Sequence, residues 1–241
     1  MVKFYESSYS YDYSFPAVTL AYFLRYPNPH STHVLSTDVI SRTIDPATGR
    51  LRTVRIHRKS SRLPSAVLKL LPKSVLGNVR GGRSESYILE TSEVDIKEGW
   101  MKTDSRNLDW TGILSVVEKQ AFQRAMPKDE EGDFSVGPGM TDVRTQVMFK
   151  SRLGERLRAM RKTGEEEVVV EEEKKGWLSN WSTKGVQRSI EAIASRKTEN
   201  QLGKSKEGMN VVLERLRNGG LVAVLEGMRK DRELTLAGVE S

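Results

Sequence analysis

The chain has 241 residues, 37% of them apolar and 29% charged, which suits one large domain or one domain with appendages. A formal charge of +7 and a pI near 9.5 direct it toward anionic partners, whether nucleic acid, acidic protein or an anionic membrane surface. Cysteine is absent, which excludes disulfides and thiolate metal sites, and no apolar run approaches the roughly 18 residues of a membrane span.

The first residues, M-V-K-F-Y-E-S-S-Y-S-Y-D-Y, are acidic and aromatic, without a signal-peptide core or the arginine-rich look of a transit peptide, so the mature chain is expected to begin near Met1. Residues 2–13 read as a strand. Phe15 to Tyr26 read as a short helix, with Ser14 placed to cap it and Pro16 in its first turn. Ala17, Leu20, Ala21 and Leu24 lie at helical spacing, so one face belongs to a core, and the helix must stop before Pro27.

Strand candidates follow at 33–44 and 50–60, joined by D-P-A-T-G, then at 84–95, 101–109, 112–124 and 143–152. This is a long antiparallel meander, interrupted by L-P-S-A-V-L-K-L-L-P-K-S-V-L-G-N over 63–78. Its leucines and valines are too apolar for an exposed loop, yet Pro64 and Pro72 bracket a piece too short for a stable independent helix. Either a short core helix or an apolar lid satisfies that composition. Residues 126–141 and about 155–180 are expected to be disordered inserts, the second a charge-blocked run. A long helix is predicted over 182–218, ended by Asn218-Gly219-Gly220, with 219–241 as a tail.

No reaction centre emerges, and no enzyme activity is expected. The histidines are His30, His33 and His57, with no carboxylate motif beside them, and G-R-S-E-S (82–86) lacks the paired glycines of a nucleophile elbow. The cations carry more information. On the strand R-L-R-T-V-R-I-H-R-K, alternation places Leu51, Thr53, Arg55, His57 and Lys59 on one face. Two readings are open: a solvated basic edge, or a sheet turning cations toward a buried anion. The long helix poses the same choice. Its stripe runs Val186, Ile190, Ile193, then Lys197, Gln201 and Lys204, before returning to Gly208 and Val212. A core-facing stripe that turns cationic needs an anion to meet it, unless that stretch overhangs the core and its lysines reach water.

Four segments resemble the signature of the PRELI-like (Ups) family of mitochondrial intermembrane-space lipid-transfer proteins. They are R-Y-P-N-P-H-S-T-H-V-L-S-T-D-V-I-S-R (25–42), L-R-T-V-R (51–55), M-K-T-D-S-R-N-L-D-W-T-G-I-L (101–114) and K-S-K-E-G-M-N-V-V-L-E-R-L (204–216). The resemblance implies an α+β fold, StART/PITP-like. A curved seven-stranded antiparallel sheet encloses a lipid cavity, with a short N-terminal helix, a lid loop and a long C-terminal helix, all within 1–218. It also implies transfer of a phospholipid between the mitochondrial membranes. The Arg-Tyr-Pro-Asn-Pro run resembles the phosphatidic acid branch, which supplies cardiolipin synthesis, rather than the phosphatidylserine branch.

Family positions that handle the phosphate match Arg25, His33, Arg55, Lys59, Arg62, Lys197, Gln201 and Lys204. The family pattern has asparagine at Gln201 and lysine at Arg62, and Arg196 is the neighbouring alternative to Lys197. Leu63, Val67, Leu68, Leu70, Leu71, Val75 and Leu76 would form the lid and touch the membrane. No cofactor is implied beyond the phospholipid cargo. The partners implied are a small twin Cys-x9-Cys helical protein and, transiently, anionic mitochondrial membranes. Nucleic acid is not expected, since no recognised motif accompanies the charge. The alternatives are a phosphatidylserine carrier of the same family, or a non-transporting protein that binds anionic membranes or nucleic acid. Arg25→Glu is expected to abolish lipid extraction while leaving the fold intact.

Overall fold

Alternation is visible from the first strand: β1 (Val2–Tyr11) exposes every second side chain and partly buries the others. The computed structural model describes residues 2–62, 79–80, 83–109, 111–112, 114–125, 139–151 and 183–237. After β1 come α1 (Phe15–Phe23), a short 3-10 turn (Pro29–Ser31), β2 (Val34–Ile44), β3 (Leu51–Arg62), β4 (Val79–Arg80), β5 (Arg83–Asp95), β6 (Trp100–Asn107), β7 (Leu114–Arg124), β8 (Thr141–Ser151) and α2 (Thr183–Ala237).

Seven strands run antiparallel in the order β1-β8-β7-β6-β5-β3-β2, forming one curved sheet, and the two-residue β4 adds a short ladder to β5. The meander read from the sequence is therefore present, with β1 closing it beside β8. That pairing decides the rest. β1 and β2 lie at opposite edges, so the chain between them must travel six strand spacings of about 4.8 Å, or roughly 29 Å. α1 covers roughly half of that distance, about 13 Å for nine residues at 1.5 Å each, packed over one face of the sheet, and the flanking connections cover the rest. Phe15, Ala17, Val18, Ala21 and Tyr22 are buried there with Val94, Met101, Phe122 and Val143 of the strands and Met209, Val212 and Leu213 of α2.

α1 ends at Phe23, with the Leu24 N–H donating to the carbonyls of Leu20 and Ala21, three residues short of the expected Tyr26. Pro27 sets the outer limit of the helix, since the α region is disfavoured for the residue before a proline, and the chain leaves the helix three residues inside that limit. Asn28 then caps the 3-10 turn, accepting from the His30 N–H at 2.9 Å. Its amide also donates to the Arg25 carbonyl at 2.5 Å. Gly208 of α2 sits against that amide, where a Cβ would lie 2.8 Å from Asn28 Nδ2 and Oδ1. This close approach locks α2 onto the turn.

The expected stop of the long helix at Asn218-Gly219-Gly220 is a kink. Gly220 has φ 62° and ψ −154°, and the chain then resumes as a helical arm over 221–237. Val224 of that arm is fully buried in the main core, and Arg215 Nη1 reaches Asp231 Oδ2 across the bend at 2.7 Å. The arm is thus part of the folded unit, and 219–241 is not simply a tail. The expected lid (63–78), the insert at 155–180 and nearly all of that at 126–141 lie outside the described residues.

Candidate functional site

The strand registers stack side chains of the helix-covered face into rungs that cross the sheet. One rung is apolar: Leu51, Val94, Met101, Phe122, Val143 and Tyr9. The next consists of Thr53, Ser92, Thr103, Gln120, Thr145 and Ser7, and its first five members are buried. The third holds Arg55, Glu90, Ser105, Glu118, Val147 and Tyr5. A face that changes from apolar to hydroxyl to charged within two rungs is built for something other than core packing alone, because unpaired buried polar groups are costly.

Glu90 is the centre of the charged rung and is 1% exposed. Arg25 Nη2 donates to its Oε2 at 2.5 Å. Arg55 Nε donates to its Oε1 at 2.9 Å, and Arg55 Nη2 donates to the same oxygen. Arg55 Nη1 also donates to the Phe23 carbonyl at 3.1 Å, tying the end of α1 to β3. His57 Nε2 lies 3.3 Å from Glu90 Oε2, and its Nδ1 lies 2.9 Å from Thr37 Oγ1. The Arg25 guanidinium stacks 3.8 Å from the Tyr22 ring centroid and 4.9 Å from that of Tyr26.

These contacts set the charge states. Burial opposes ionisation of Glu90, but Arg25, His57 and Arg55 together hold its carboxyl well below the usual carboxylate range. Burial works against Arg25 too, and Tyr22, Tyr26 and Glu90 outweigh it, so its guanidinium is held charged. Desolvation pushes the His57 imidazole down, despite Glu90 beside it. Two guanidiniums on one carboxylate leave one positive charge in excess. Arg25 Nε, moreover, is buried with no hydrogen-bond partner among the described residues. The cluster therefore holds one uncompensated positive charge and one unused guanidinium donor.

Several of the sequence-predicted residues gather here. Arg25 and Arg55 share Glu90. Lys59 lies two alternations along the same face of β3, paired in register with Ser86, and its charge reaches Glu118. His33 is half-buried just ahead of β2, its carbonyl accepting from the Ser60 N–H at 2.8 Å. Gln201 and Lys204 are exposed on α2 and take no part in the buried cluster, which favours the overhanging reading of that stretch of the helix. The side chains of Arg62 and Lys197 lie outside the described residues, as do Leu63, Val67, Leu68, Leu70, Leu71, Val75 and Leu76.

The sequence reading missed Glu90 and Glu118. The signal was present: both acids share strand parity with inward apolar residues, Glu90 with Ile88 and Val94, Glu118 with Val116 and Phe122. Of the two readings of the basic strand, the cations do face a buried anion, and that anion is the protein's own Glu90. The expectation that Arg25→Glu spares the fold is corrected accordingly. It would set a second carboxylate against Glu90 and leave Arg55 to serve both.

The PRELI-like family model matches residues 16–136, half of the chain and all of this cluster. The chain belongs to the PRELI-like family. A mitochondrial protein of Saccharomyces cerevisiae, UPS1, is 42% identical over 123 residues, covering 51% of this chain and 65% of that protein. The UPS1 homolog of Schizosaccharomyces pombe is 41% identical over 45% of this chain and 57% of its own length. The chain thus spans less than two thirds of the length of either yeast relative. The mitochondrial PRELI domain-containing protein 1 of Bos taurus is 30% identical over 68% of this chain and 67% of its own. Among solved structures, an aromatase/cyclase from Streptomyces aligns with a TM-score of 0.43 at 11% identity, over 91% of this chain and 98% of that one. At that score the likeness carries no argument about activity.

Proposed function

We propose that this PRELI-like chain is a mitochondrial intermembrane-space phospholipid carrier, without enzyme activity of its own. It takes phosphatidic acid from one mitochondrial membrane to the other and so supports cardiolipin synthesis. The observation that carries the proposal is the buried Arg25–Glu90–Arg55 cluster, with its excess positive charge and an Arg25 Nε that has no partner among the described residues. A phosphate monoester bears nearly two negative charges near neutral pH and presents three acceptor oxygens, which suits a guanidinium already oriented by stacking and an ion pair. The mitochondrial names of the relatives and the family membership support the setting.

The phosphate rests on the charged rung and on Lys59 beyond it, with His33 beside them. The apolar segment 63–78 serves as the membrane-contacting lid over the acyl chains' entry. Each methylene removed from water contributes about 0.8 kcal/mol. Gln201 and Lys204, exposed on α2, meet the headgroup from outside the buried cluster, and Arg62 and Lys197 belong to the same headgroup-binding set. A small twin Cys-x9-Cys helical protein is the stabilising partner.

The test is transfer between donor and acceptor liposomes over a headgroup panel, with the protein purified together with that partner. Phosphatidic acid is expected to move at least tenfold faster than phosphatidylserine, about the effect of one charge-assisted hydrogen bond. Equal or reversed rates refute the branch assignment. Membrane binding with no movement of any lipid supports the non-transporting membrane-binding protein instead.

A further inference from the structure

Glu118 stands in the same rung as Glu90, separated from it only by Ser105, so the two carboxyls start from backbone positions roughly 10 Å apart at about 4.8 Å per strand. Their surroundings differ sharply. Glu90 is held by two guanidiniums, whereas Glu118 has no hydrogen-bond or ion-pair partner among the described residues. Its side chain is partly buried on the face that α1 covers, between Val147 of β8 and Ser105 of β6 in register. The charges that reach it are Lys59 of β3, Arg25 beyond α1 and Glu90 of β5, and Tyr9 of β1 feels its charge in turn. Burial pushes its carboxyl above the ordinary range, Lys59 and Arg25 pull it back, and Glu90 adds to the rise. Two carboxyls in one rung are thereby driven in opposite directions, as a site does when one acid must stay ionised and the other must hold a proton.

We infer that Glu118 is a specificity-determining residue of the headgroup site. In its protonated form it donates a hydrogen bond to a phosphate oxygen of the cargo, and once ionised it repels the same oxygen. The inference rests on the carrier reading above. Glu90 keeps the arginines in place at every working pH, while Glu118 makes retention of an anionic headgroup stronger in acid than in alkali. Phosphatidic acid is the probe because its phosphate has the most charge to lose or gain from that corner.

Extraction from phosphatidic acid-containing vesicles is measured between about pH 5.5 and 8 for the wild type, Glu118→Gln and Glu118→Ala. Dividing each variant by the wild type at the same pH cancels the titration of the lipid's own phosphate. Glutamine keeps a donor and removes the charge, so its ratio to wild type is expected to climb from near one at the acid end to about ten at the alkaline end. Alanine removes donor and charge together, so its ratio also rises with pH but starts below one. Should the glutamine protein fail to fold, the alanine slope alone decides. Ratios that stay level across the range overturn the role of Glu118 and leave the carrier reading standing. No extraction by the wild type at any pH overturns both.

Discussion

At the scale of single residues the site is governed by one carboxylate. Glu90 compensates two buried guanidiniums, so removing its charge leaves Arg25 and Arg55 uncompensated in a desolvated place. Glu90→Gln is therefore expected to cost about 3–5 kcal/mol in chemical denaturation, the usual penalty for breaking a buried pair from one side. A midpoint equal to wild type would show that water reaches the cluster. The same groups set the acid limb of stability. His57 is held below its ordinary value and Glu90 well below its own, so each contributes stability that is present above its unfolded pKa. That stability is lost as pH falls, first below about 6.5 for His57 and then below about 4.3 for Glu90. Glu118 has the opposite sign. Its raised carboxyl favours the fold most at low pH, and that contribution fades as pH rises.

At the scale of elements, the bend in α2 is the feature that local sequence misrepresents. Asn-Gly-Gly reads as a helix end, and in backbone terms it is one, because Gly220 takes φ 62° with ψ −154°, a combination closed to side-chain-bearing residues. The arm beyond it nevertheless returns to the core through Val224, with the Arg215–Asp231 pair bridging the two segments and Gly227 against the Arg215 guanidinium. Among the described residues nothing lies within 4 Å of the Gly220 Cβ position, so the penalty of a substitution there is backbone strain. Gly220→Ala should lower stability by about 1–3 kcal/mol, read from the denaturant midpoint, while the matched Gly203→Ala in the open, regular helix should be neutral or stabilising. Equal effects at the two glycines would mean that the bend straightens at no cost.

At the scale of the whole molecule, the sheet and its charge have separate jobs. The sheet brings β1 and β2 to opposite edges, which forces α1 across the covered face and delivers Arg25 to β5 at the end of that crossing. The formal charge of +7 acts at long range. Binding to anionic vesicles is expected to weaken several-fold as ionic strength rises from about 0.05 to 0.2 M, because the screening length shrinks from roughly 14 to 7 Å. Lipid held on the buried cluster should be far less sensitive to salt. A carrier that loses preloaded lipid and membrane affinity in parallel would place the headgroup at the surface.

The sequence by itself determined the strands and their turns, the first helix and its proline stop, and the inward face of β3 with Arg55, His57 and Lys59. These follow from period-two alternation, from proline geometry and from short-range turn chemistry, all of which act within a few residues. The family signatures added Arg25. What only the tertiary structure decided was the meaning of those cations. Arg25 meets Glu90 across 65 positions in sequence, and Arg55 meets it across 35. Neither distance is visible to a local pattern, since such a contact exists only after β3 and β5 pair and α1 crosses the sheet. The distal arm of α2 follows the same logic. A glycine pair ends the helix locally, and the burial of Val224 in a core assembled from β1, α1 and the strands decides where the chain goes next.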